Sequence, residues 1–159
     1  MTPAIRYLEQ HGIWHRTHSY EVDAVETTYG EAVAAALGVE PERLFKTLIA
    51  RLKEGELVVG LVPASSSLDL RLLARAAGAK SADMAAPREA ERATGYVTGG
   101  ISPFGQKRSM RTFADSSIAA CDTIFVSAGR RGLQVEVRPA DLLQRLGVTM
   151  TLLTSREPS

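Results

Sequence analysis

Apolar positions fall at helical spacing near both ends of the chain and mostly at strand spacing between them. Thr2 is a capping residue type and Pro3 suits a first helical position; Ile5, Tyr7 and Leu8 then form one face, closed by His11-Gly12. A strand is expected over 13–20 and a polar, acidic loop over 21–28. Alanine-rich spacing predicts a helix over 30–37, stopped by Gly38, and Pro41 opens a single turn. Residues 45–51 read as a strand, 53–56 as a hairpin turn, and the nearly all-apolar 57–62 as a strand buried on both faces.

Pro63 and the serines Ser65, Ser66 and Ser67 break the chain and are expected to cap a helix carrying Leu70, Leu72, Leu73 and Ala76, which stops at Gly78. A short strand over 81–84 and a helix from Pro87 through Arg92 precede Tyr96-Val97-Thr98 and a glycine loop over 99–105, which is read as following a strand. Strands are expected over 111–114, 123–127 and 133–137, the last two joined through Ala128-Gly129-Arg130-Arg131-Gly132. A helix from Pro139 through Leu146, a strand over 148–153 and a short polar tail complete the chain. Strands and helices mix without strict alternation, and no linker or repeat interrupts them. The expected fold is α+β, a mixed, barrel-like sheet surrounded by helices, in a single domain over 1–159.

Composition changes this picture little. Hydrophobic residues are 45% and charged residues 23%, enough for a core without covalent staples. The net charge of +1 gives no global field toward a polyanion, so any RNA contact must come from a local basic patch. The first residues lack an apolar signal-peptide core, and no apolar run reaches the roughly 18 residues of a membrane span, so a soluble cytoplasmic protein is the expectation. The lone Cys121 makes no internal disulfide and has no histidine near it in sequence; it is read as a small hydrophobe beside a strand.

Candidate chemistry is sparse. His15 and His18 have opposite parity on their strand, and with His11 they are read as surface or helix-end histidines. There is no HExxH, acidic metal cluster or serine elbow, so neither metal nor cofactor is expected. Two features are more specific. Lys46 sits inside an apolar strand, where a lysine needs a partner or a ligand. Gly99-Gly100 lets backbone approach a ligand and point N–H groups at it, without the Walker or Rossmann pattern. Basic residues cluster at Lys107, Arg108 and Arg111 and again at Arg130 and Arg131; Arg71 with Arg75, and Arg88 with Arg92, share helix faces at i, i+4. Lys107, Arg108, Arg130 and Arg131, beside glycine loops, are the candidate RNA contacts.

The segments Thr17-His18-Ser19-Tyr20-Glu21, Ala24-Val25-Glu26-Thr27-Thr28-Tyr29-Gly30, Phe45-Lys46-Thr47-Leu48, the run from Thr94 through Gly99-Gly100-Ile101-Ser102-Pro103-Phe104-Gly105 to Lys107, and Val126-Ser127-Ala128-Gly129-Arg130-Arg131-Gly132-Leu133 come in an order and spacing that resemble the YbaK/EbsC deacylases, relatives of the editing domain inserted in bacterial prolyl-tRNA synthetases. The resemblance runs over essentially the whole chain. It implies an enzyme, an aminoacyl-tRNA deacylase editing in trans, whose substrate is a tRNA acceptor end esterified with the wrong amino acid, foremost Cys-tRNA(Pro). Prolyl-tRNA synthetase is an implied partner; DNA and membranes are not.

Lys46 matches the functional lysine of the family, and Tyr20, Tyr29, Thr47, the Gly99-Gly100-Ile101 loop, Ser127, Gly129 and Gln134 match positions around an aminoacyl-adenosine pocket. Two positions depart from the pattern: Gln134, with Glu136 two residues on, stands where members often carry an acid, and Ala128 where glycine is common. In the cysteine-specific branch the substrate's own thiol attacks its ester, so the resemblance implies catalysis by positioning, without a protein nucleophile. The alternatives are a sibling that clears alanine or another small residue from tRNA(Pro) by water attack, a non-catalytic module binding the acceptor end or a synthetase, and a nucleotide-binding regulator, against which the missing Walker and Rossmann patterns count.

Overall fold

The computed structural model describes residues 1–21 and 29–155. Most of the acidic loop expected over 21–28, with the Ala24 to Thr28 part of the family-like segment, and the end of the polar tail lie outside them. The order is α1 (Pro3–Gln10), β1 (His15–Ser19), α2 (Tyr29–Leu37), a 3-10 turn (Pro41–Arg43), β2 (Phe45–Leu52), β3 (Leu57–Pro63), α3 (Leu70–Ala77), β4 (Ala82–Met84), α4 (Pro87–Thr94), β5 (Thr112–Asp115), a second 3-10 turn (Ser116–Ala120), β6 (Ile124–Arg130), β7 (Leu133–Val137), α5 (Pro139–Leu146) and β8 (Thr149–Thr151).

The expected elements form, with local corrections. Thr2 caps α1 as read, accepting from the Ile5 amide at 3.2 Å, and the helix buries Ala4 and Leu8. The serine run does not cap α3. Asp69 does, its Oδ1 accepting from Arg71 N at 2.9 Å and Leu72 N at 3.2 Å, because a carboxylate both fills the open amides and suits the positive helix end. Tyr96-Val97-Thr98 is not a strand, so the glycine loop follows α4, through Gly95 at φ 83°.

The mixed sheet is two sheets rather than a closed barrel. One has three strands in the order β1-β7-β6, all antiparallel. The other has five, β4-β2-β3-β5-β8, antiparallel around β2 and parallel from β3 to β8. They meet at one isolated bridge, Leu44 to Phe125. The main core joins Phe45, Ile49 and Leu61 to Val126, Val135 and Val137, with Leu8 and Leu142 from the helices. A second core on the far face of the larger sheet takes Val58, Val62, Phe113 and Leu73 of α3. Every residue of β3 is buried, as its apolar run predicts for a strand covered on both faces. A third cluster, Val33, Ala34, Leu44, Ala64 and Phe125, seats α2 over the junction of the sheets.

Candidate active site

The site is built where one edge of β2, the edge away from β3, lacks a strand neighbour among the described residues. Leu44 O accepts from Ala64 N at 2.7 Å and Leu52 N donates to Glu56 O at 2.8 Å, so the even-numbered residues of this strand bond toward β3. The odd-numbered residues therefore face the other edge. There Ile49 O accepts from Ala85 N at 3.0 Å and β4 pairs residues 50–52, while Leu44 bridges to β6. Between these two covers the backbone N–H and C=O of Thr47 face an open edge.

A cavity of about 470 Å³ fills that gap, within the usual range of small-ligand sites. Its wall from the three-stranded sheet carries Ser127 and Gln134, directly opposite each other in register. Tyr29, Gly30 and Val33 of α2 cover it, Met84 and Ala85 close the β4 side, and Gly99, Ile101 and Arg131 form a rim.

Lys46 lines the cavity with its stem against α2: a Cβ added to Gly30 would stand 3.3 Å from Lys46 Cδ. Its Nζ donates to Ser66 O at 2.8 Å and has no other partner among the described residues, so two of its three donors are open to a ligand there. Burial pulls its pKa below that of an ordinary lysine, and the Glu31 carboxylate partly restores it. Two buried polar atoms of the walls have no hydrogen-bond partner, Thr47 Oγ1 and Gln134 Oε1. An orphaned buried group costs about 1–3 kcal/mol, so among the described residues both atoms have a hydrogen bond still to make.

Tyr20 is not a cavity wall; it stands behind Tyr29, the two hydroxyls 3.0 Å apart. Burial and the Tyr20 hydrogen bond push the Tyr29 phenol up to about 12, although the Arg131 guanidinium, 4.8 Å from its ring centroid, pulls the other way.

The two glycines serve the hairpin more than a ligand. A Cβ on Gly100 would stand 2.7 Å from Arg130 Cα, and one on Gly99 2.5 Å from Arg131 Nε. Thr98 N is spent on Glu91 Oε2 at 2.8 Å and Gly100 N on Val97 O at 2.9 Å, so the glycine pair offers fewer free amides than its sequence suggests. Gly100→Ala is accordingly expected to lower stability by about 1–3 kcal/mol, because the clash is with backbone; equal denaturation midpoints for variant and wild type would contradict this.

Gly129 lies away from the cavity walls, where a Cβ would stand 2.8 Å from Tyr96 Cε1 and 3.0 Å from Thr2 Cβ. Of the candidate RNA contacts, Arg131 lines the cavity and Arg130 backs Gly100. Lys107 and Arg108 are exposed and docked by their amides on Thr94 O and Ala93 O at the end of α4, outside the lining.

His11 and His15 bond only nearby carbonyls, of Tyr7 at 2.9 Å and Ile13 at 2.8 Å. His18 is not simply a surface histidine. Its Nε2 is 3.1 Å from Glu136 Oε1, and it packs edge-on against Phe125. Burial raises the Glu136 carboxyl, but hydrogen bonds from Thr123 at 2.6 Å and from His18 outweigh it and hold the group below the usual range. Arg43 closes the cluster at 3.7 Å. The oxygens of Glu136 are thus engaged, so this acid does not replace the one missing at Gln134. Cys121 is half-buried and outside the cavity; burial raises its thiol, Arg43 lowers it, and Asp122 and Glu40 raise it further.

Sequence reasoning missed the apolar walls Val33, Leu48, Met84 and Ala85, and also Glu31. Met84 had a faint signal, being a large apolar residue at the end of a short polar strand, and it is 46% exposed. Among the described residues the cavity walls carry two cations, Lys46 and Arg131, and no carboxylate, histidine or cysteine. Ser127 Oγ accepts from Gly129 N at 3.2 Å with no base beside it. Such a site can hold an anionic or ester-bearing ligand and polarise it, but it lacks an activated nucleophile of its own.

Residues 24–144 match the aminoacyl-tRNA editing domain. A protein of Enterococcus faecalis provisionally named Cys-tRNA(Pro)/Cys-tRNA(Cys) deacylase EbsC is 34% identical over 98% of this chain and 94% of its own. A proline–tRNA ligase of Nitratidesulfovibrio vulgaris is 36% identical over 55% of this chain, a segment that is 15% of that enzyme. A crystal structure provisionally described as a trans-editing enzyme for prolyl tRNA synthetase superposes with a TM-score of 0.83 at 23% identity, covering 98% of this chain and 99% of the other, and shares the fold. With the family match extending over most of its length, the chain belongs to the aminoacyl-tRNA editing domain family.

Proposed function

We propose that the protein is an aminoacyl-tRNA deacylase that edits in trans, hydrolysing the ester of a mischarged tRNA, with Cys-tRNA(Pro) as its principal substrate. The observation that carries this reading is the cavity itself: a half-buried lysine with two donors to spare and two orphaned polar wall atoms, with no base-activated nucleophile among the described walls. An aminoacyl ester is already activated, so fixing its geometry and stabilising its oxyanion supplies most of the required catalysis.

In this assignment the free donors of Lys46 hold the ester end of the terminal adenosine, and the amides of Gly99 and Ile101 border the carbonyl. The substrate ammonium sits against Gln134 Oε1 and the open edge at Thr47, with Ser127 opposite and Tyr29, backed by Tyr20, closing the pocket. The cysteine thiol then gives up its proton, sulfur bonds to the carbonyl carbon, and the ester C–O bond breaks. The terminal ribose oxygen leaves with a proton. Water afterwards opens the cyclic thioester and frees cysteine. Gly100 and Gly129 shape the rim through the hairpin, and Arg131 meets the terminal phosphate.

Gln134 supports a second reading. A neutral amide in place of an acid changes how the substrate amine is held and with it the placement of the side chain, which suits a sibling that clears alanine by water attack. The similarity to a segment of a proline–tRNA ligase supports an activity that serves proline's tRNA, in company with that synthetase.

The test is a deacylation panel of cysteinyl-, alanyl-, seryl- and prolyl-tRNA(Pro). Clearance of the cysteinyl ester with the prolyl ester spared supports the proposal. Preference for the alanyl ester selects the second reading, and no clearance of any ester overturns both.

A further inference from the structure

We propose that a second, basic groove beside the cavity holds the sugar-phosphate backbone of the single-stranded 3′ end of tRNA as it enters the site; this rests on the deacylase reading above. The groove lies between α3 and β4, a concavity of about 460 Å³ whose walls include Arg71, Arg75, Lys80 and Ser81. The three cations are exposed, and among the described residues their side chains make no ion pair or hydrogen bond. The carboxylate that caps α3, Asp69, is engaged by the helix amides and by Ser155 Oγ at 2.6 Å, and the Arg71 charge acts on it without an ion-pair contact. Three exposed cations around one hollow concentrate positive potential that the net charge of +1 does not reveal.

Register connects this groove to Lys46. Met84 pairs with Ala50 and Ala82 with Leu52, so these β4 residues share the sheet face of the even-numbered β2 residues, Lys46 included. Met84 lines the cavity and Ala82 lines the groove, two residues apart on one strand, about 7 Å. A chain whose last ester sits at Lys46 and which leaves over Met84 therefore passes within one or two nucleotides of Arg71, Arg75 and Lys80. The exposed Met84 side chain gives an apolar, polarisable surface for a base or ribose on the way. An acidic protein surface would satisfy the same charges, but a groove that abuts the cavity along one sheet face favours an RNA strand running on from the ester.

The test uses the full chain with Arg71, Arg75 and Lys80 all changed to Gln. These positions are exposed, and none is placed in the catalytic cavity. Binding of uncharged tRNA(Pro) is titrated against salt, and deacylation is compared on cysteinyl-tRNA(Pro) and on 3′-cysteinyl-adenosine, which lacks the upstream phosphates. The expected result is about a tenfold or larger loss of affinity near 0.1 M salt and a salt slope shallower by about two, at roughly 0.7 per phosphate contact on a single strand. Deacylation of the adenosine ester should be unchanged.

An unchanged salt slope overturns the proposal. So does a variant that binds tRNA normally but loses association with prolyl-tRNA synthetase, because the groove would then face a protein. A wild type that clears neither ester, while the variant still loses salt-dependent tRNA binding, overturns the deacylase reading and leaves the groove assigned to RNA.

Discussion

Lys46→Ala is expected to lower deacylation of cysteinyl-tRNA by at least a hundredfold while leaving the protein folded. Removing one preorganised donor from a site of developing negative charge costs about 10²–10³ in rate. Here the loss takes away the only ammonium among the described walls of the cavity. Folding should survive because Lys46 is only half-buried, and among the described residues its side chain makes one hydrogen bond, to the loop carbonyl Ser66 O. Lys46→Met separates charge from packing, since it keeps a stem of similar length against Gly30 and removes the ammonium. Both variants should lose activity and keep a cooperative unfolding transition. A folded Lys46→Ala protein with near-normal turnover would remove the central assignment.

Stability should register the same burial. The Lys46 pKa lies below its unfolded value of 10.5, so the unfolded chain binds more protons in the window between the two. The cost of burying the cation is carried in full below the folded value and disappears above the unfolded one, so wild-type stability gains from this group as pH rises through the window. In Lys46→Met that contribution should be absent, which a comparison of denaturation midpoints across alkaline pH would detect.

The elements were legible because local chemistry announces them: Pro3 after Thr2, the apolar run of β3, and prolines opening α4 and α5. The closure of the sheet was not. Whether two sheets fuse into a barrel depends on long-range pairing at one place, Leu44 to Phe125, and no local pattern encodes it. The same reason hid the open edge at Thr47, since a missing strand neighbour is a property of β4 and β6 rather than of β2. Lys46 stood out as a cation in an apolar strand. The glycine pair also stood out, yet its backbone is shaped chiefly by Arg130 and Arg131, thirty residues away in sequence and in contact through space. Gln134 and Glu136, two apart on β7, share a face, but only the structure shows that His18, Thr123 and Arg43 occupy Glu136 while the Gln134 oxygen has no partner among the described residues.

Cysteinyl-tRNA should be cleaved at least a hundredfold faster than seryl-tRNA by the same protein, although the two substrates differ by one atom. A thiol with a pKa near 8.5 is a few per cent thiolate at neutral pH and is intrinsically nucleophilic, whereas a serine hydroxyl is essentially never ionised there. Neither the cavity volume nor its wall polarity separates oxygen from sulfur strongly, because a pocket that merely accommodates a group differing this little discriminates by about 1–3 kcal/mol at most. Selectivity beyond that must come from the substrate acting as its own nucleophile.

The pH profile, after subtraction of uncatalysed hydrolysis, should then rise toward about 8.5 as the substrate thiol ionises. It should fall again as Lys46 loses its proton below the value of an ordinary lysine. Cys121→Ala should leave both limbs in place, since that thiol lies outside the cavity with its pKa raised. Comparable rates on cysteinyl-, seryl- and alanyl-tRNA would instead assign the attack to water, and the bare oxygen of Gln134 would then become the first determinant of amino-acid choice to examine.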